Sequence, residues 1–326
     1  MNKWELILYV VAFIGLVGIF IPLLDSTYWL IRVQNYIKPF YLLLATVLVC
    51  IVAVLLINGF STTRLIALIL LFGGISHCIQ TIFPYSSFYK KEIQDAEGAL
   101  IPSLALLIFN VLQKNDKYES LLEKVKEEQP EVILLLETDK NWENGVQSLS
   151  DDYPFVIKKV QDDTYGMMLF SKHPFLSKIV RELYKRNIPS IEVLIEKEGQ
   201  PIRIMCIHPE PPMPAESKSS KPKDVEIERA SNLIDSRSNS ELKILAGDLN
   251  DVAWSKSAKL LKQDTDLKDP RIGRGTFNTF PTNSPFKIPI DLLFCSTEFE
   301  LIEMRVLENI GSDHHPFLIK LKFPKN

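Results

Sequence analysis

The residues of this chain that could do chemistry sit where apolar runs end. The stretch Lys243-Ile244-Leu245-Ala246-Gly247-Asp248-Leu249-Asn250 reads as a short buried strand closed by a glycine, an acid and an amide. Residues two apart on an extended chain point to one side, so Asp248 and Asn250 face one pocket. One is an anion that can take a proton from water; the other is a neutral group that can donate to a phosphate. Gly, Asp and Asn also dominate turns, so this stretch does not decide the matter alone. The same placement recurs along the chain. The run 104–109 ends at Asn110, 132–136 at Glu137 and 202–207 at His208. Ile290 leads into Asp291, and Gly311-Ser312-Asp313-His314-His315-Pro316 precedes the last apolar run. Sites are commonly built on loops at the ends of a rigid scaffold, and turn chemistry explains six such placements poorly. The Gly-x-Ser-x-Gly elbow, the phosphate-cradling GxxxxGK[ST] loop and His-Glu-x-x-His are all missing from the sequence.

The elements that must position these residues can be read from the apolar pattern. Further strands are expected at 155–160, 165–170, 191–195, 242–246, 290–294, 301–306 and 316–323. Helices are expected at 114–128, 141–149, 224–236 and 253–261. Many short strands interleave with a few helices rather than in strict alternation, which favours an α/β fold with mixed sheets. Residues 209–223, rich in Pro, Ser and Lys, read as a mobile loop.

The first quarter of the chain is different. Residues 6–24, 39–63 and 65–89 contain no Asp, Glu, Lys or Arg. Each run is long enough to cross hydrocarbon as a helix, which predicts three transmembrane helices near 4–24, 39–58 and 65–83. A cleaved signal peptide fits the first run less well, since its apolar stretch is too long and no A-x-A-like site follows. Trp4, Tyr28, Trp29, Tyr36 and Tyr85 sit near the expected ends, as interfacial aromatics do. Of 37 basic and 40 acidic residues, residues 1–83 hold only Lys3, Arg32, Lys38, Arg64, Glu5 and Asp25. The remainder is net acidic, so no global basic character advertises nucleic-acid binding. The four cysteines form neither a CxxC pair nor a disulfide framework. The expected division is a membrane anchor at 1–83, a polar linker at 84–102 and a catalytic domain at 103–326.

The order Asn110, Glu137, His208, Gly247-Asp248-x-Asn250, Ile290-Asp291 and Ser312-Asp313-His314-x-Pro316 resembles the endonuclease/exonuclease/phosphatase (DNase I-like) superfamily over about residues 103–323. Secondary matches are residues 165–174 and Gly275-Thr276-Phe277. The segment His208-Pro209-x-Pro211-Pro212 and Trp254-Ser255 are most similar to its bacterial membrane-anchored branch. The resemblance implies a four-layer α/β sandwich, two mixed β-sheets face to face flanked by helices and here preceded by the three membrane helices. It implies a hydrolase of phosphoester bonds dependent on Mg²⁺ or Mn²⁺, with Glu137 as principal metal ligand, Asn110 beside the metal and Asp313 completing its environment or a second site. By the same resemblance Asp248 orients or deprotonates the attacking water and Asn250 donates to the phosphate. His314 neutralises phosphoryl charge or acts as acid/base, Asp291 fixes its tautomer, and His208 is the second histidine. The register of the final motif selects His314 and leaves His315 at the rim.

Two substrate classes follow. A nuclease or other phosphodiesterase is the first expectation, and Lys158, Lys159, Lys172, Lys178, Arg181, Lys185 and Arg186 are a loose cluster that would track a phosphate backbone. A phospholipid-headgroup or sphingomyelinase-like phosphodiesterase is the second, with Lys218, Lys221 and Lys223 meeting anionic headgroups. A catalytically inert membrane scaffold is the alternative of another class. The expected location is a bacterial cytoplasmic membrane. Arg32, Lys38, Lys90 and Lys91 against Lys3 and Arg64 favour a catalytic domain on the cytoplasmic side, with an extracytoplasmic domain as the alternative.

Overall fold

The computed structural model describes residues 3–98, 102–214, 216–238 and 240–324. The chain divides into two compact units, Met1–Tyr89 with Pro212–Ser220, and Lys90–Pro211 with Lys221–Asn326.

The first unit is built on α1 (Lys3–Phe20), α2 (Trp29–Arg32), α3 (Lys38–Ile57) and α4 (Thr62–Ile82). Three helical spans, Lys3–Leu23, Lys38–Ile57 and Thr62–Tyr85, are long and apolar enough to cross a bilayer. Their small internal core holds Ala12, Ile19, Ala45, Leu48, Val52, Leu71 and Cys78. Most large side chains, among them Phe13, Ile14, Leu43 and Ile69, point outward instead. Arg64 is ion-paired with Glu5 and also donates to the Leu55 and Gly59 carbonyls, joining the start of α4 to α1 and to the end of α3. Gly18 lets α1 and α3 approach closely, since a Cβ there would lie 2.2 Å from the Tyr41 hydroxyl.

The second unit has two sheets. One holds β1 (Ser103–Asn110), β2 (Val132–Leu136), β3 (Phe155–Lys159), β4 (Met167–Ser171), β10 (Glu300–Val306) and β11 (Phe317–Lys322), in the order β10-β11-β1-β2-β4-β3. The other runs β5 (Phe175–Glu182), β6 (Pro189–Lys197), β7 (Gln200–Cys206), β8 (Leu242–Asp248) and β9 (Asp291–Cys295) in chain order. Both are mixed: β1 is parallel to β2 and β7 to β8, and the remaining pairs are antiparallel.

Strand alternation separates the layers. Leu104, Leu106 and Ile108 of β1 enter the core between the sheets with Ile191, Val193, Ile204, Ile244 and Leu293. Leu107 and Phe109 point the other way, onto α5 (Tyr118–Glu128), α6 (Lys140–Gly145) and α7 (Leu149–Asp152) through Leu121, Val125, Trp142 and Leu149. Beside the second sheet lie α8 (Lys221–Asp235) and α9 (Lys256–Asp264), which bury Ile227, Ala230, Ile234, Ala258 and Leu261. This is the expected four-layer sandwich.

Three details depart from the pattern reading. Residues 90–97 run along the edge of the second unit: Leu301 N–H donates to Gln94 O at 2.8 Å, Ala96 N–H donates to Leu301 O at 2.9 Å, and Ile93 is buried in the intersheet core. Three of the seven residues of the basic cluster are engaged in ion pairs, Lys158 with Glu143, Arg181 with Glu192 and Lys185 with Glu210, rather than standing open for a phosphate backbone. Lys223 is not a headgroup ligand: it is buried at the start of α8, ion-paired with Asp251.

One buried acid contributes a pH-dependent stability. Glu226 of α8 is 1% exposed, and its Oε1 has no hydrogen-bond partner among the described residues. Burial, aided by the Glu210 carboxylate, pushes its carboxyl up to about 8. With the folded value above the unfolded one, the native state holds a proton that the unfolded chain releases. Stability is therefore full below the unfolded pKa and falls as pH rises towards 8. Thermal unfolding of the detergent-solubilised chain between pH 5 and pH 8 should show this decline. Glu226→Gln should flatten it and stabilise the protein at pH 8 by a few kcal/mol, since each tenfold change in a proton-binding equilibrium is worth about 1.4 kcal/mol. An unchanged slope in the variant would contradict this assignment.

Candidate active site

The strand ends named by the sequence converge. Asn110 is the last residue of β1, opposite Leu136 of its parallel neighbour β2, and Glu137 is the next residue after β2. His208 lies two residues beyond β7. Asp248 ends β8 and is paired in register with Asp291, the first residue of β9. His314 precedes β11.

Local backbone explains why these strands end as they do. Gly247 has φ 147°, and a Cβ there would fall 1.9 Å from the Ile207 carbonyl oxygen, so only glycine lets β8 deliver Asp248 beside the residues after β7. Glu137 (φ 59°) and Asn250 (φ 47°) both adopt left-handed backbone. For residues other than glycine this costs energy, and such strain gathers at functional sites.

Asp248 is the hub. Asn110 Nδ2 donates to its Oδ2 at 3.1 Å and to Glu137 Oε1 at 2.8 Å, so one amide spans both carboxylates. His208 Nε2 lies 3.7 Å and His314 Nε2 3.6 Å from the same Oδ2. The Asn250 N–H donates to Oδ1 at 2.9 Å. His314 Nδ1 is 2.8 Å from Asp291 Oδ2, so Nδ1 donates to that carboxylate and Nε2 is turned towards Asp248. All four of Asp248, Asp291, His208 and His314 are buried.

Electrostatics follow from this packing. Burial pushes the Asp248 carboxyl up, and His314 opposes that rise. For His314, burial works against the charge, but Asp291 and then Asp248 outweigh it and raise the imidazole. The histidine is thus held as an imidazolium between two acids, while one water-facing acid, the half-buried Glu137, stands beside them.

Two arrangements could hold a cation. Ligand atoms of Asp248, Asp291 and His314 lie within 4.8 Å of one another. The imidazolium already supplies positive charge there, and a metal would have to displace its proton. Glu137 fits a hard cation better: its carboxylate stands at a half-open position, where waters can complete the shell, and buried Asn110 steadies it through Nδ2 while its own Oδ1 accepts from Leu112 N–H at 3.1 Å. A cleft of about 590 Å³ opens beside Glu137, lined also by Asn115, Asp116, Asp139, Asn141 and Asp162. Asp313 is half-buried next to His314, where its charge helps raise that imidazole; it is not among the three clustered ligands. His315 is turned away, with Nδ1 donating to Leu307 O at 2.9 Å and Nε2 accepting from Lys287 at 2.9 Å.

Further groups support the site. Ser312 Oγ donates to Asn110 O at 2.7 Å and accepts from His314 N–H at 3.0 Å, locking the final motif onto the end of β1. The Phe280 ring lies 4.7 Å from that of His314, and Tyr165 5.6 Å from His208. Phe280 sits in a Pro- and Asn-rich stretch with no periodicity, so only its place in space marks it.

A family model described as the Endonuclease/Exonuclease/phosphatase family matches residues 107–314, well over half of the chain and every polar strand end described above. The chain belongs to this family. Members of the family hydrolyse phosphoester bonds and are generally dependent on divalent metal. No curated protein matches the chain. Among solved structures, D. rerio TDP2 complexed with a single-strand DNA product aligns with TM-score 0.58 at 16% identity, over 68% of this chain and 99% of that one. The endonuclease/exonuclease/phosphatase from Beutenbergia cavernae aligns with TM-score 0.54 at 17% identity, over 68% and 72%. A family protein from Leptotrichia buccalis gives 0.53 at 20% identity, over 68% and 100%. At these identities the likeness establishes the fold alone.

Proposed function

We propose that this chain is a membrane-anchored, divalent-metal-dependent phosphodiesterase. The observation that carries the reading is Asp248, which meets Asn110, His208, His314 and the Asn250 N–H at one buried point beside Glu137. Hydrolysis forms a bond from water oxygen to phosphorus and breaks the phosphorus–oxygen bond to one alcohol. Asp248 orients the water and takes its proton. The His314 imidazolium, fixed by Asp291, offsets charge growing on the phosphoryl oxygens, as preorganised donors do. His208, whose Nδ1 has no hydrogen-bond partner among the described residues, is placed to return a proton to the departing alkoxide. Glu137, steadied by Asn110 and with Asp313 nearby, would hold Mg²⁺ or Mn²⁺, which supplies Lewis-acid neutralisation of phosphate when bound.

Membrane insertion rests on the three apolar spans. Nucleic acid is the first substrate class to assay, because one similar fold was solved with a single-strand DNA product. Phospholipid headgroups are the second, because of the anchor. The test is a panel assayed with the detergent-solubilised full chain and Mg²⁺ or Mn²⁺: bis(p-nitrophenyl) phosphate, single-stranded DNA, RNA and phospholipid vesicles. Metal-dependent release from at least one phosphodiester is expected. Turnover of none would favour the inert scaffold and overturn the reading.

A further inference from the structure

Each sheet of the second unit ends in two edge strands, and an open edge is a template for another strand. Three of the four are covered or blunted. Beside β10, Asp95 bridges Leu301, whose backbone exchanges hydrogen bonds with Gln94 and Ala96. The end of β9 is tied to Lys268, which exchanges two backbone hydrogen bonds with Cys295 at 2.8 and 3.0 Å. β3 carries Lys158 and Lys159 side by side and no acid, so a second β3 is repelled. β5 differs from all three. Among the described residues only β6 pairs with it, which leaves its outer edge open. Its eight residues alternate between half-buried and exposed, and the exposed row is Leu176, Lys178, Val180 and Glu182. Leu176 is 55% and Val180 44% exposed. The neighbouring Arg181 and Lys185 are committed to Glu192 and Glu210, whereas Lys178 and Glu182 form no ion pair among the described residues.

That exposed row is self-complementary. Laid antiparallel to itself about Val180, β5 sets Lys178 against Glu182 of a second copy, Val180 against Val180, and Glu182 against Lys178. The strand is regular from Ser177 to Glu182, so the row keeps this spacing. A slide of two residues sets these charges out of step. A slide of four sets Lys178 on Lys178 or Glu182 on Glu182, and like charges directly opposite are destabilising. Charge thus selects one register. On the other face Arg181 is already held by Glu192 at 3.1 Å, so it brings no unpaired charge to the seam. Lys178 hinders addition of an unrelated apolar strand but is matched here by Glu182. We infer that β5 is the interface at which two copies of this chain pair edge to edge, joining two five-stranded sheets into one of ten strands. The contact uses the same patch on both copies and closes on itself. Asp248, on β8, is three strands away and lies outside the seam.

Directly opposite residues of an antiparallel pair have Cα atoms about 4.5–5.5 Å apart, within disulfide range. Val180 lies opposite itself on the two-fold axis. The test uses the full chain in phosphatidylcholine vesicles, with Cys50→Ser to remove the exposed native thiol. Val180→Cys should form an intermolecular disulfide under mild oxidation. Leu176→Cys is the control: four residues from the axis, it lies about 27 Å from its own copy and should cross-link at least about tenfold more slowly. Adding Lys178→Glu to Val180→Cys should slow cross-linking at least about tenfold, because opposed like charges replace both ion pairs. Adding Glu182→Lys as well exchanges the charges and should restore the rate to within about threefold. These positions are all exposed, and the restored rate shows that the fold is kept. No cross-link at Val180→Cys, equal rates for Val180→Cys and Leu176→Cys, no effect of Lys178→Glu, or no rescue by Glu182→Lys would each overturn the inference.

Discussion

Asp248→Asn is expected to lower turnover of a soluble phosphodiester by about 10²–10⁴-fold, the usual contribution of a group that moves a proton in the transition state. The expected loss is large because Asp248 accepts from Asn110 and lies within 3.7 Å of both His208 Nε2 and His314 Nε2. An amide of the same shape keeps one oxygen for the Asn250 N–H, now 2.9 Å from Oδ1. It cannot take a proton from water, and its own N–H₂ faces the donor amide of Asn110. Stability should change little, since removing a buried charge offsets the lost attraction to His314. The check is turnover beside thermal unfolding on one preparation. Full activity in the variant would remove Asp248 from the chemistry; an unfolded variant would make it structural.

His314→Gln should lower turnover by a comparable factor of about 10²–10⁴. Asp291→Asn should reproduce part of that loss, because Asp291 Oδ2, 2.8 Å from Nδ1, both orients the ring and stabilises its charge. The decisive comparison is the double variant. If Asp291 acts through His314, adding Asp291→Asn to His314→Gln costs little more, since residues that act as a unit are not additive. Additive losses would mean that Asp291 has a separate task. His315→Ala should cost less than about threefold, as expected away from the reacting atoms. A crippled His315→Ala with an active His314→Gln would show that the final motif was assigned in the wrong register.

Much of the fold was legible because its strands are buried on both faces and read as continuous apolar runs. Residues 132–136 and 242–246 are visible for this reason, and the polar residues that close them mark the site. β5 was not legible. Its residues alternate between half-buried and exposed, and Lys178, Arg181 and Glu182 make it look like charged loop. The expected helix at 141–149 divides into α6 and α7, because α6 ends at Gly145, packed beneath the Tyr118 ring where a Cβ would clash at 2.3 Å. Residues 209–223 read as loop from composition, but their pairing with Thr27–Trp29 joins positions nearly two hundred residues apart, which no local pattern encodes. The individual site residues were legible as types at strand ends. Their meeting at Asp248, the contacts made by Ser312 and Tyr165, and the part played by Phe280 are visible only in three dimensions.

The mechanism stands or falls on a Mg²⁺ titration of bis(p-nitrophenyl) phosphate hydrolysis after EDTA treatment, in the unaltered full chain and in Glu137→Ala. No turnover is expected in EDTA, with recovery on adding Mg²⁺. The curve for Glu137→Ala should be displaced at least about tenfold to higher Mg²⁺, as loss of a ligand or its support produces. Undiminished turnover in EDTA, or superimposable curves for the two proteins, would contradict the assignment of Glu137 and the metal.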